Sequence, residues 1–281
     1  MPTDNELQQM YGQSYFTDGG AWVCGTWRGG YADNEVKLRL EAGEALRDLG
    51  RAAPGRLLEV GPAGGFFLDE ARKAGYEVMG VEINPEMAEF GRERLNLDLR
   101  CGIFEQIGLD GTFDVIVAQD VLEHTRDPLA FMRRVAALLA PGGTFFIRGP
   151  LEDDFRERIY RTTRSALRRG TRVVEEAPFH LQGFTRGSFS TLMRRAGLSV
   201  VTFKALGTAP RWNEKGVWGT LTGAVESIAY VGDRLCGGGD FMRATVAVET
   251  RASPAPSSLD ARAPRKPPSR STEELAGHAL R

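Results

Sequence analysis

The chain has 281 residues, of which 42% are hydrophobic and 26% charged, with a formal net charge of -1. That is enough apolar material for the core of one α/β domain with appendages. The charge balance lacks the basic excess that phosphate contacts demand, so no nucleic-acid partner is expected. In chain order, residues 1–53 read as an aromatic, Gly-rich leader followed by a helix. Arg56 to Val60 is a short apolar run ending at Gly61, a buried strand feeding a glycine turn. Phe66 to Ala74 reads as a helix closed by Gly75, and Glu77 to Val81 as the second strand. Asn84-Pro85 opens the next helix, with Asn as its cap and Pro at its first position. Leu97 to Cys101 is a candidate third strand and Phe113 to Ala118 a clear fourth. Asp127-Pro128 starts another helix, which Pro141-Gly142-Gly143 stops, and Thr144 to Arg148 is the fifth strand. Leu198–Phe203 and Phe241–Glu249 read as an antiparallel pair at the sheet edge.

Strands alternating with helices of this length imply a parallel sheet covered on both faces. The expected fold is Rossmann-like: a seven-stranded, mostly parallel sheet with an antiparallel edge strand and a helical substrate-side insertion. The main domain spans 54–249, with insertions at about 151–186 and 205–240. Residues 250–281 are rich in Pro, Ser, Ala and Arg and carry too few large apolar side chains to offset chain entropy, so a disordered tail is expected. Cys24, Cys101 and Cys236 are far apart and form no CxxC pair, which argues for reduced thiols and against structural zinc. The opening MPTDNELQQMYGQSY lacks the basic start and apolar run of a signal peptide, and the expected location is the cytoplasm.

In such sheets, ligands bind beyond the carboxyl ends of the strands, where strand order reverses. The first strand–helix turn is Glu59-Val-Gly61-Pro-Ala63-Gly-Gly65, whose small residues let the backbone approach a ligand. The next strand ends in Glu82, 21 residues after Gly61, which suits a carboxylate holding ribose hydroxyls. A nicotinamide oxidoreductase would need glycine at 66, where a pyrophosphate requires bare backbone amides; Phe66 stands there instead.

LLEVGPAGG, VEINPEM, FDVIVAQDVLEHTRDP and LLAPGGTFFIRGP together resemble the successive motifs of class I S-adenosylmethionine (SAM)-dependent methyltransferases. The closest branch includes ubiquinone-biosynthesis O-methyltransferases and many natural-product and sugar methyltransferases. The resemblance covers residues 56–150 and returns weakly at HLQGFTRGSFSTLMRRAGLSVV. It implies that SAM is the cofactor and that Glu59, Gly61, Ala63 and Gly65 wrap its methionine part. Glu82 would then hold the ribose hydroxyls, with Ile83 on one side of the adenine and the Gly102-Ile103-Phe104 turn on the other. Gln119 and Asp120 would border the sulfur and the substrate mouth. Ile103 stands where relatives often carry an acid, and Glu105 and Asp110 are the nearest replacements.

Among the three histidines, His278 lies in the tail, His124 follows the fourth strand, and His180 sits in the substrate-side insertion. Imidazole suits general-base work because it titrates near neutrality. His124 and His180 are therefore the candidate catalytic residues; a capping or core role at 124 and a loop hydrogen bond at 180 are the structural alternatives. Asp120, Glu123 and His124 offer divalent-metal ligands as a less favoured reading, and no metal is assigned. Arg161, Arg164, Arg168 and Arg172 share one helical face. They read either as a solvated surface or as a basic cap for an anionic substrate or a membrane surface. Tyr11, Tyr15, Phe16, Trp22, Trp27 and Tyr31 form either a lid over SAM or a hydrophobic latch. The expected function is methyl transfer from SAM to a small-molecule acceptor, oxygen before nitrogen or carbon. A non-catalytic SAM-fold binding or regulatory protein is the alternative, and a nicotinamide-dependent oxidoreductase the third reading.

Overall fold

The computed structural model describes residues 2, 3, 6, 9, 11, 30–49, 52–153, 180–207, 227, 228, 230–235 and 237–248. The chain divides into two units, 1–249 and 250–281. The second unit lies outside the described residues, as do the arginine run, most of the aromatic leader and most of the 205–240 insertion.

Among the described residues, seven strands form one sheet: β1 (Arg56–Val60), β2 (Glu77–Glu82), β3 (Leu99–Cys101), β4 (Phe113–Gln119), β5 (Leu139–Pro150), β6 (Leu198–Leu206) and β7 (Phe241–Val248). Their order is β3-β2-β1-β4-β5-β7-β6. β1 to β5 pair in parallel, and β7 runs antiparallel to both β5 and the edge strand β6. Among the described residues, the helices that flank the sheet include α1 (Glu35–Asp48), α2 (Phe66–Lys73), α3 (Pro85–Leu95), α4 (Pro128–Leu138) and α5 (Arg186–Arg195). Strand order reverses between β1 and β4, which puts the ligand-binding crevice at the carboxyl ends of those two strands.

Neighbouring strand residues alternate between two cores, as a pleated strand requires. Leu58, Ile116, Ala118, Phe145 and Ile147 pack with Phe131, Met132 and Val135 of α4 and Phe189 and Met193 of α5. Leu57, Val115, Val117 and Phe146 face the other way, onto Ala42 and Ala45 of α1, Leu68 and Ala71 of α2 and Ala88 of α3. Ion pairs pin α1 in place: Arg39 meets Asp69 and Glu70 of α2 at 2.7 and 2.5 Å, and Arg243 of β7 meets Asp48 at 2.9 Å.

Both predicted helix starts hold. The Asn84 side chain accepts from Met87 N with Pro85 at the first helical position, and the Asp127 side chain accepts from Leu129 N and Ala130 N. β5 differs from expectation by starting at Leu139, before Pro141. Leu139 pairs with Phe113, and pairing resumes only at Thr144 with Val115. Pro141 has no N–H to donate and Gly142 has φ +74°, so residues 140–143 form an interruption inside the strand and not its start. Among the described residues, no helix is long and apolar enough to cross a membrane.

Candidate functional site

The turn after β1 is held in a left-handed path by Gly61, Ala63 and Gly65, with φ of +70°, +49° and +89°. Gly61 N donates to Val81 O at 2.9 Å, and Gly65 N donates to Pro62 O at 2.9 Å. A side chain at 61 would meet Val121 Cγ2 at 2.6 Å, so the glycine is required by the β4 end as much as by any ligand. Tyr31 closes the turn from outside: its ring stacks on Phe66 at 4.9 Å, and its hydroxyl accepts from Phe66 N at 3.4 Å.

Two buried carboxylates flank this turn. Glu82, at the end of β2, accepts from Ala63 N and Asn84 N, each at 2.8 Å. Burial pushes its carboxyl up to about 7 against the pull of those bonds. Glu59 of β1 accepts from Gln119 Nε2 at 3.2 Å, while its Oε2 is buried with no hydrogen-bond partner among the described residues. Burial pushes Glu59 up to about 8, opposed by the Gln119 bond and reinforced by Glu82. An orphaned buried carboxylate oxygen invites a donor from outside the chain. SAM fits here, because its amino group and ribose hydroxyls are donors and the turn leaves its backbone bare.

The other residues expected around SAM fall as follows. Ile83 is half-buried after β2, and its carbonyl lies 4.0 Å from Cys101 Sγ. Ile103 is half-buried after β3, and its carbonyl accepts from Gln106 N and Ile107 N. Phe104 is turned into the core against Phe131, ring centroids 5.1 Å apart, so it backs the turn from beneath. Gln119 ends β4 and reaches Glu59. Asp120 follows at φ +54°, with Oδ1 buried and unpartnered among the described residues and Oδ2 3.4 Å from Arg148.

Beyond β4 a 3-10 turn, Leu122–His124, carries Glu123 inward, 2% exposed, and His124 beside it. The carbonyl of Glu123 accepts from Leu181 N at 2.8 Å and Gln182 N at 3.0 Å. Those two bonds bring His180 to the same place, its ring 5.0 Å from that of His124. Gly149 leaves room for the Glu123 side chain, since a Cβ there would stand 3.3 Å from Oε2. Glu123 Oε1 lies 3.8 Å from His124 Nε2, and one ligand atom from each of Glu123, His124 and His180 lies within 4.8 Å of the others. That spacing serves a proton-sharing group or a single divalent cation. The trio replaces Asp120 of the sequence reading with His180.

Sequence reasoning missed the second role of Asn84, which joins Glu82 to the leader: its Nδ2 donates to the Tyr11 carbonyl. The Asn-Pro signature already accounted for that asparagine as a cap, so nothing local called for a further partner.

Residues 35–202 match a family model described as a methyltransferase domain. The ubiquinone biosynthesis O-methyltransferase of Xanthomonas campestris pv. campestris (strain B100) is 35% identical over 104 residues, which is 34% of this chain and 44% of that protein. The chain thus matches less than half the length of that relative. Among solved structures, magnesium protoporphyrin IX methyltransferase from Synechocystis PCC 6803 with bound SAH superposes with a TM-score of 0.56 at 13% identity, covering 88% of this chain and all of that one. The [4+2]-cyclase SpnF gives a TM-score of 0.56 at 17% identity, over 88% of this chain and 97% of its own. With the family model spanning well over half of its length, the chain belongs to the class I SAM-dependent methyltransferase family.

Proposed function

We propose that this chain transfers a methyl group from SAM to an oxygen of a small-molecule acceptor seated over His124 and His180. The observation that carries the reading is the pairing of those imidazoles, 5.0 Å apart, beyond the end of β4, whose last residue, Gln119, donates to Glu59. The name of the Xanthomonas relatives, ubiquinone biosynthesis O-methyltransferase, favours oxygen over nitrogen or carbon. SAM supplies an already activated methyl group. Glu59, Glu82 and the glycine turn hold the cofactor, Gln119 and Asp120 border the mouth, and a histidine takes the hydroxyl proton as the oxygen attacks. The proposal includes an anionic acceptor, guided by the arginines between 156 and 172, and cytoplasmic action with membrane-surface contact as an option for that basic stretch.

Labelled SAM and a panel of hydroxylated aromatic acceptors test this reading. Methyl transfer should fall at least tenfold in His124→Ala and in His180→Ala, with SAH affinity unchanged. Partial recovery at high pH would mark base removal, because the acceptor then ionises unaided. Loss of activity on chelation, restored by a divalent cation, would replace the base with a metal at the same trio. The cyclase on this fold gives a second reading its force. A chain that binds SAH yet never forms it from SAM is a SAM-fold protein of another chemistry or a regulatory one. Stabilisation by a nicotinamide nucleotide and not by SAH would point to the oxidoreductase instead.

A further inference from the structure

The aromatic leader reaches the site at a residue that touches both of its walls. Tyr11 is 8% exposed. Its hydroxyl lies 3.0 Å from His124 Nδ1, and its ring meets the imidazole edge-on, centroids 5.3 Å apart. Its carbonyl accepts from the Nδ2 of Asn84, a fully buried residue whose own N–H donates to Glu82 Oε1 at 2.8 Å. One leader residue is thus fastened to the cofactor-side carboxylate through Asn84 and to the acceptor-side histidine directly. We infer that Tyr11 is a positioning residue, which holds the His124 ring in its working orientation and joins the acceptor wall to the cofactor wall.

Two physical points carry this. The hydroxyl can donate to Nδ1 or accept from it, so the 3.0 Å bond fixes the ring plane whichever nitrogen carries the proton. The neighbouring geometry also needs a fixed ring: Nε2 faces Glu123 Oε1 at 3.8 Å, and His180 packs edge-on at 5.0 Å, so a free rotation about the imidazole axis would break both arrangements. A lid made only to exclude water would need the aromatic ring and not its hydroxyl.

That difference defines the experiment, which rests on the proposed methyl transfer for one arm and is independent of it in the other. Tyr11→Phe in the full chain keeps the ring and the carbonyl bond to Asn84 and removes the hydroxyl alone. Three histidines give a simple imidazole nitrogen NMR spectrum, and His124→Gln assigns the signal. Tyr11→Phe should move the His124 Nδ1 resonance and leave that of His278 in place. It should lower kcat about three- to tenfold, the worth of one hydrogen bond felt in the transition state, with the KM for SAM unchanged. An unmoved His124 resonance would show that the bond does not exist in solution. A moved resonance with parental kcat would show that it exists and positions nothing. Either result overturns the inference, whereas a parent that transfers no methyl group refutes the proposed reaction and leaves the nitrogen spectrum to judge the Tyr11–His124 bond.

Discussion

Replacing Glu59 by glutamine should flatten the pH dependence of stability. Burial is the main reason that the Glu59 carboxyl is pushed from 4.5 to about 8 in the fold. The unfolded chain ionises near the ordinary value, so from about pH 4.5 to 8 the folded state holds a proton that the unfolded state has released. The contribution is therefore full below the unfolded pKa and is lost as pH rises through that window. From pH 5 to 8 the loss is about 3 kcal/mol at 1.36 kcal/mol per unit. For a domain of this size that lowers the melting temperature by about 6–12 °C. Glu82, pushed up to about 7 by burial, adds about 2 kcal/mol in the same direction and remains in the variant. Melting curves recorded without SAM from pH 5 to 8 should show the parent falling about two and a half times as steeply as Glu59→Gln. A parent that melts at one temperature throughout, or a variant that falls as steeply as the parent, would refute a protonated, buried carboxyl at 59.

Gly61→Ala should destabilise by about 2–4 kcal/mol, because a left-handed alanine is strained and its Cβ would stand 2.6 Å from Val121 Cγ2. Thermal melts of a double-mutant cycle with Val121→Ala should recover the steric part, and strict additivity would show that Val121 is not the obstacle. Glu82→Gln keeps the side-chain volume but turns one oxygen into a donor facing Ala63 N–H or Asn84 N–H. Calorimetry with SAH should show affinity lower by about tenfold or more, and an unchanged Kd would remove Glu82 from the cofactor wall.

Signals that act within a few residues were readable in the sequence. Asn84-Pro85 and Asp127-Pro128 each set a helix start because a cap and its first turn are adjacent in the chain. The β1 and β4 runs marked strands because their apolar residues serve both cores. The turn at Gly61, Ala63 and Gly65 was readable for the same reason, since its small residues and positive φ belong to one short loop. What the sequence hides are contacts made by topology. Tyr11 and His124 are 113 residues apart, and no local pattern pairs a leader tyrosine with a turn after β4. His180 reaches the site through the Leu181 and Gln182 amides on the Glu123 carbonyl, a backbone contact with no side-chain signature. Val121 over Gly61 becomes visible only when the reversal between β1 and β4 sets their carboxyl ends side by side. The Pro141-Gly142-Gly143 segment misled for a related reason: it stops a helix by local rules, yet Leu139 before it already pairs with Phe113, a partner chosen by the sheet. The proposed cofactor half of the site therefore lies mostly in local motifs. The proposed acceptor half is assembled from the leader, the β4 end and the segment before α5, which is why the sequence named its histidines and placed Tyr11 in an aromatic cluster without pairing it with His124.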